Sequence, residues 1–402
     1  MFKKVKFLLI YFIVAIIFCF PIVIKLNKIC LPSAIVAPSV ITDYPEYSDH
    51  SQLARNNLVT KHSLVTLENP GLDIAVTYDY FYIFFKIFGL SRNIIFNLFL
   101  LTVITTSGFA TYLLTFWLSK NTYVSFLAGF LYMSSNFVFN EYYWGHVNLV
   151  QIQYLPLILY FVEKNLVEKG VKNVIFLALS IFLQILSSSQ YSLYLSVILI
   201  LYVFSKLVFA HFYKLKGDYH LKHVIIAIVL ALIISLLYLN FRFQFRYDLR
   251  SANDNLTSYF KITNFTELLD ISKNTYLGIQ TFILFIFGII YIFYKKNKSK
   301  LIVYFPYLLI ILICPILMLG PYSNKSLYFY FYRYYPLFNY FRVPVRFFPF
   351  LYLSTIICAI SPFIFLKNKL SLNVFKILYS LIILLTFILT YFSIYFQYNF
   401  YC

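Results

Sequence analysis

Asp49 stands in the run Ser48-Asp49-His50-Ser51-Gln52-Leu53-Ala54-Arg55, with Gln52 following at helical spacing and Arg55 beyond it. A carboxylate beside an amide and a guanidinium is a set that can activate a hydroxyl. The hydroxyl of a sugar acceptor is a weak nucleophile, and its attack needs a carboxylate base or a metal held by carboxylates. Asp43, Glu46, Glu68, Asp73 and Asp79 share the stretch, so Asp49 also reads as one of six solvated acids.

Three further sets carry polar chemistry. Asn140-Glu141-Tyr142-Tyr143-Trp144-Gly145-His146-Val147-Asn148 leads to Gln151, Gln153 and Pro156. The pattern predicts a helix entered at Gly145-His146 that turns Asn148, Gln151 and Gln153 toward a cavity or a helix partner. The competing reading is an aromatic belt with His146 as a helix cap. Arg242, Arg246 and Arg250 recur every fourth residue, with Asp248 and Asp254 among them. Guanidinium forks suit the phosphate of a lipid carrier, although arginines also snorkel from helix ends. Finally, Leu319-Gly320-Pro321 leads through Tyr332-Arg333-Tyr334-Tyr335-Pro336 to Phe341-Arg342-Val343-Pro344-Val345-Arg346-Phe347. Arg342 and Arg346, stiffened by proline, fit a phosphate leaving group or pair with acids of the first loop. Cys19, Cys314 and Cys358 lie in apolar runs without a CxxC or Cys/His cluster, which argues against a zinc site or disulfide framework.

The elements that must position these residues are set by composition. With 61% hydrophobic and 12% charged residues, the chain has more apolar surface than a soluble core of this size hides, so lipid is its solvent. Eleven apolar runs, at 7–24, 93–118, 122–139, 147–163, 173–188, 190–209, 224–241, 276–294, 301–319, 346–366 and 373–396, suit transmembrane helices. The first follows Lys3, Lys4 and Lys6 and lacks a cleavage site, so it is expected to stay as a helix. A cytoplasmic N-terminus puts the short lysine-rich breaks inside and the long connections 25–92, 242–275 and 320–345 outside, with the C-terminus. The net charge of +19 is then a topology signal and not a nucleic-acid footprint. Eleven of the fourteen acids fall outside; Glu163, Glu168 and Asp218 fall inside. Residues 48–55 suit a helix on the membrane surface, and 77–90 are apolar but too short to span comfortably. The expectation is an all-α polytopic membrane protein, one transmembrane domain over 1–402 with an interfacial helical first outer loop and no separate soluble domain.

These pieces, in this order, resemble a broad group of bacterial multi-pass proteins of the GT-C glycosyltransferase type. The resemblance runs through Asp49 with Gln52, Gly145-His146 to Pro156, Leu186-Ser187-Ser188-Ser189-Gln190-Tyr191, Tyr276-Leu277-Gly278, Leu319-Gly320-Pro321 and Arg342-Val343-Pro344-Val345-Arg346-Phe347, covering about residues 43–360. It implies inverting transfer of a sugar from a polyprenyl-phosphate donor to a glycan, lipid or protein acceptor, on the non-cytoplasmic face of the cell membrane. Asp49, as the base, and His146 become the catalytic candidates. Asp43, Gln52, Asn148, Gln151, Arg242, Arg246, Arg342 and Arg346 become the substrate-binding ones, and a divalent metal stays open. The chain departs at Ser48, where relatives often carry glycine, and at Lys273-Asn274, where many carry an acid. Two readings compete. A transporter or flippase of lipid-linked sugars would place ionisable residues near the midplane and show repeat-like halves, neither of which the sequence shows clearly. A non-catalytic membrane protein of the same type would leave the outer polar groups apart.

Overall fold

The computed structural model describes residues 2–19, 76–143, 147–212, 220–242, 262–270, 273, 275–294, 298–321, 325–335, 338 and 343–401. Among them 86% are helical and none lies in a strand, so the chain is all-α. In order the helices are α1 (Phe2–Phe18), α2 (Val76–Ile87), α3 (Arg92–Ser119), α4 (Thr122–Met133), α5 (Asn136–Tyr143), α6 (Tyr154–Val167), α7 (Val171–Ser187) and α8 (Ser189–Phe212). They continue as α9 (Leu221–Arg242), α10 (Ile279–Tyr294), α11 (Lys298–Met318), α12 (Leu327–Tyr334), α13 (Phe348–Ala359), α14 (Ser361–Lys369) and α15 (Leu372–Tyr401). Short 3-10 turns lie at Phe265–Leu269 and Pro344–Phe347.

Six segments are long and apolar enough to cross a membrane: Arg92–Ser119, Gln190–Phe212, Leu221–Tyr238, Leu301–Met318, Pro344–Lys367 and Leu372–Phe392. Shorter apolar helices cover Val5–Phe18, Val171–Ser187 and Ile279–Tyr294. α3 and the segment around α13 are mostly buried, whereas α9 and α15 turn most of their apolar side chains outward. Such outward faces suit a lipid solvent and not water. α2, at 12 residues, is about 18 Å long and falls short of the hydrocarbon thickness, as its sequence suggests.

Two apolar runs are broken. At Ser134-Ser135 the Ser134 hydroxyl donates to the Leu131 carbonyl at 2.8 Å, competing with the helical ladder and separating α4 from α5. At Ile360 the helix restarts as α14, because Pro362 has no N–H to give and crowds the carbonyl of Cys358. Elsewhere helices meet closely through glycine. A β-carbon on Gly129 would overlap the Gly108 carbonyl oxygen of α3 and the Tyr11 hydroxyl, which donates to the Phe126 carbonyl at 3.0 Å. A β-carbon on Gly288 of α10 would overlap the Cys358 carbonyl of α13. Backbone cannot step aside as a side chain can, so Gly288→Ala is expected to cost about 1–3 kcal/mol by overpacking. A lowered melting temperature of the purified variant checks this, and an unchanged one would show that α10 and α13 have slack.

The short links make successive helices antiparallel and give the bundle two ends. At one end lie Lys120, Lys164, Lys169, Lys172, Lys222, Lys367 and Lys369; this is the lysine end. Lys120 closes α3 in the left-handed region at φ 52°, and its ammonium sits 3.7 Å from the centre of the Trp117 ring. The other, the loop end, receives the long connections before α2, between α9 and α10, and between α11 and α13.

Candidate functional site

At the loop end the chain leaves α5 and re-enters the bundle as residues 147–153, which are buried and non-helical. This corrects the expectation that Asn148, Gln151 and Gln153 ride on a helix: α6 begins only at Tyr154, with Pro156 in its first turn. Proline suits a first turn, where its missing N–H is not needed. Upstream of it, side chains replace the helical ladder. The Tyr132 hydroxyl donates to the Ile152 carbonyl at 3.3 Å, the Tyr191 hydroxyl to Leu149 at 2.9 Å, and the Gln151 amide to Val147 at 3.1 Å. Irregular backbone inside a membrane bundle survives only where protein or a cavity takes up its polar groups.

A network of neutral groups grows from this segment. Thr77 on α2 donates to the Gln151 Oε1 at 2.5 Å and lies 3.1 Å from the Ser187 hydroxyl at the end of α7. The Gln151 amide also reaches the Ser187 carbonyl, at 3.5 Å, while Ser187 Oγ donates to Leu183 at 2.6 Å. Thr77 and Ser187 have two protons for these three hydroxyl contacts, so the set has an acceptor to spare. Gln184 lies one turn before Ser187 on α7. Both side-chain polar atoms of Gln184, both of Asn148 and the Gln153 Oε1 are buried without a hydrogen-bond partner among the described residues. A buried unpaired amide costs about 1–3 kcal/mol, so these positions call for a further polar partner such as a bound polar group.

Charge joins the neutral wall at α8. Glu141, the sixth residue of α5, is 5% exposed. It and Arg346, of opposite charge, both act electrostatically on the buried Tyr191 phenol. Arg346 is carried by the 3-10 turn Pro344–Phe347, and the Tyr194 hydroxyl ties that turn to α8 by donating to the Val343 carbonyl at 3.2 Å. Tyr328 of α12 borders the same place. Burial pushes its phenol well above the ordinary tyrosine range, Tyr194 adds to the rise, and Arg346 partly opposes it. Tyr328 therefore keeps its proton at any ordinary pH. Amides, hydroxyls, one acid and one guanidinium at the end of a membrane bundle can bind a polar headgroup, take up a proton and neutralise an anion.

Of the residues singled out in the sequence, Asn148, Gln151 and Arg346 are brought to this one end. Asp43, Asp49, Gln52, His146, Arg246 and Arg342 lie outside the described residues, as does the surface helix expected at 48–55. Arg242 closes α9, and its backbone alone is described. Sequence reasoning missed Thr77, Gln184 and Ser187 as wall residues and Glu141 as a buried acid; an acid directly following an apolar run was the available signal. Tyr276-Leu277-Gly278 lines a separate cavity of about 20 Å³ with Ser134, Asn136, Gln280 and Thr390. Gly278 is required there: its φ is +81°, and the Gln280 amide lies about 3.0 Å from where a β-carbon would stand. Among the described residues no group of three His, Cys, Asp or Glu side chains is arranged to hold a metal.

A second polar cluster lies nearer the lysine end. Glu163 of α6 accepts from the Tyr202 hydroxyl and pairs with Lys206, both on α8, and Tyr307 of α11 lies 3.0 Å from Tyr202. Both charged side chains are 5% exposed.

Comparison with protein-family models and with curated proteins finds no match to this chain.

Proposed function

We propose that this chain is a membrane glycosyltransferase of the GT-C type, moving a sugar from a polyprenyl-phosphate carrier to a glycan, lipid or protein acceptor. About eleven helices cross the cell membrane on this reading, with the N-terminus cytoplasmic and the loop end outside. Short lysine-bearing links at the other end support that orientation. The observation that carries the proposal is convergence at the loop end. Glu141, Arg346 and the neutral wall of Thr77, Gln151 and Ser187 lie at that end, and the stretch of sequence that leads into α2 holds Asp43, Asp49 and Gln52.

The chemistry then has named parts. Asp49, with His146, takes the acceptor proton as the acceptor oxygen bonds to the anomeric carbon and the bond from that carbon to the phosphate oxygen breaks. Arg346, with Arg242, Arg246 and Arg342, neutralises the departing phosphate. Asn148 and Gln151 orient the sugar through its hydroxyls. A transporter of lipid-linked sugars is the competing reading, and the buried pair of Glu163 and Lys206 favours it. That pair is internally neutralised, however, and Glu163 stands four residues, about 6 Å, from the lysine end of α6 rather than at mid-helix.

Purified protein in lipid nanodiscs, given a panel of polyprenyl-phosphate sugars with and without magnesium or manganese, tests the proposal. The expected result is release of polyprenyl phosphate matched by glycosylated acceptor. Donor that crosses the bilayer of a proteoliposome uncleaved would replace the enzyme by the transporter.

A further inference from the structure

We propose that Glu163, Lys206, Tyr202 and Tyr307 are positioning residues, a buried clasp that sets the axial register of α6, α8 and α11 and so the geometry of the polar wall at their opposite ends. As a statement about sugar transfer this rests on the function proposed above; as a statement about helix register it does not.

Each of the three clasped helices carries part of the site. α6 begins where the 147–153 segment ends, α8 bears Tyr191 and Tyr194, and α11 packs against the 3-10 turn holding Arg346. The clasp itself is directional. One carboxylate oxygen of Glu163 receives both the Tyr202 hydroxyl and the Lys206 ammonium. The Tyr202 hydroxyl is also directed at the Tyr307 oxygen, 3.0 Å away, so its single proton is shared between the Glu163 carboxylate and Tyr307, and four side chains from three helices meet at one point. A slip of one residue moves a helix by about 1.5 Å, enough to break every one of these bonds. Apolar side chains among lipid tails discriminate registers weakly, because lipid offers them equally apolar contacts. A single buried polar contact is the known way for packed helices to choose among otherwise similar registers. Tyr191 lies eleven residues before Tyr202 on α8, about 16 Å along a stiff rod, so the register chosen at the clasp is delivered to the site.

The test is the double variant Glu163→Gln/Lys206→Met, which removes both charges together and leaves none unpaired. The expected outcome is a melting temperature close to the parent with kcat lowered about 10–100-fold and the donor KM little changed, as for a misplaced site. Parent kcat at parent stability would overturn the proposal. Should the parent turn over no polyprenyl-phosphate sugar, the enzyme reading falls and register is read directly. Thr77→Cys/Ser187→Cys, in a background without the native cysteines, puts two thiols where hydroxyls lie 3.1 Å apart. Only Ser188 separates Ser187 from α8, so a shift of α8 carries Ser187 with it. Disulfide yield should be high with the clasp intact and fall in the double variant; equal yields would overturn positioning. If the double variant does not fold, Tyr307→Phe keeps the ion pair, drops one hydrogen bond and is judged by the same two readouts.

Discussion

Lys206→Met is expected to destabilise the purified protein by about 3–5 kcal/mol, the cost of leaving one partner of a buried ion pair without its counter-charge. Glu163 and Lys206 are each 5% exposed, so no water replaces the missing ammonium. Glu163→Gln should cost a comparable amount, because it strands the lysine. The pair itself contributes far less than either loss, since burying two charges nearly offsets their attraction. Glu163→Gln/Lys206→Met should therefore recover most of the stability lost by either single change. Thermal unfolding of the three variants in one detergent decides the matter. A double variant that loses the sum of the single losses would mean that the two side chains act independently.

The second large effect belongs to Asp49. If it is the base, Asp49→Asn lowers sugar transfer by about 10²–10⁴-fold while donor binding stays near the parent value. Asparagine keeps the size of the side chain but cannot accept the acceptor proton. Glu141→Gln is the informative companion, because Glu141 is a buried acid at the loop end beside Tyr191. Full transfer by Asp49→Asn with loss in Glu141→Gln would move the base from the first connection to α5. Loss in both would make Glu141 a partner of the base or of the donor.

The helices were largely readable because burial in lipid imposes long apolar runs, and each run holds a helix. What the runs did not reveal is where helices break. Residues 147–153 stand at the head of an apolar run, yet two of their carbonyls are taken by Tyr132 and Tyr191, partners 20 and 42 residues away. Local pattern carries no record of such partners. The same reason hid the clasp. Glu163 looked like part of a cytoplasmic charged link, and Lys206, inside the run 190–209, had no visible counterpart within helical reach. At the loop end, three of the residues singled out by type, Asn148, Gln151 and Arg346, lie on the described part of the chain. Thr77, Ser187 and Gln184 are too ordinary as residue types to stand out before α2 and α7 bring them together.

The broken re-entry at 147–153 also constrains how the protein is made. As the chain leaves the ribosome, Tyr132 has already been synthesised when Ile152 appears, but the partner of the Leu149 carbonyl, Tyr191, comes later. Until α8 arrives, that carbonyl cannot rest in hydrocarbon without a partner. The segment from α4 to α6 must therefore wait beside the insertion machinery or in water and settle only with α8. Its polar wall is among the last parts of this half of the bundle to close.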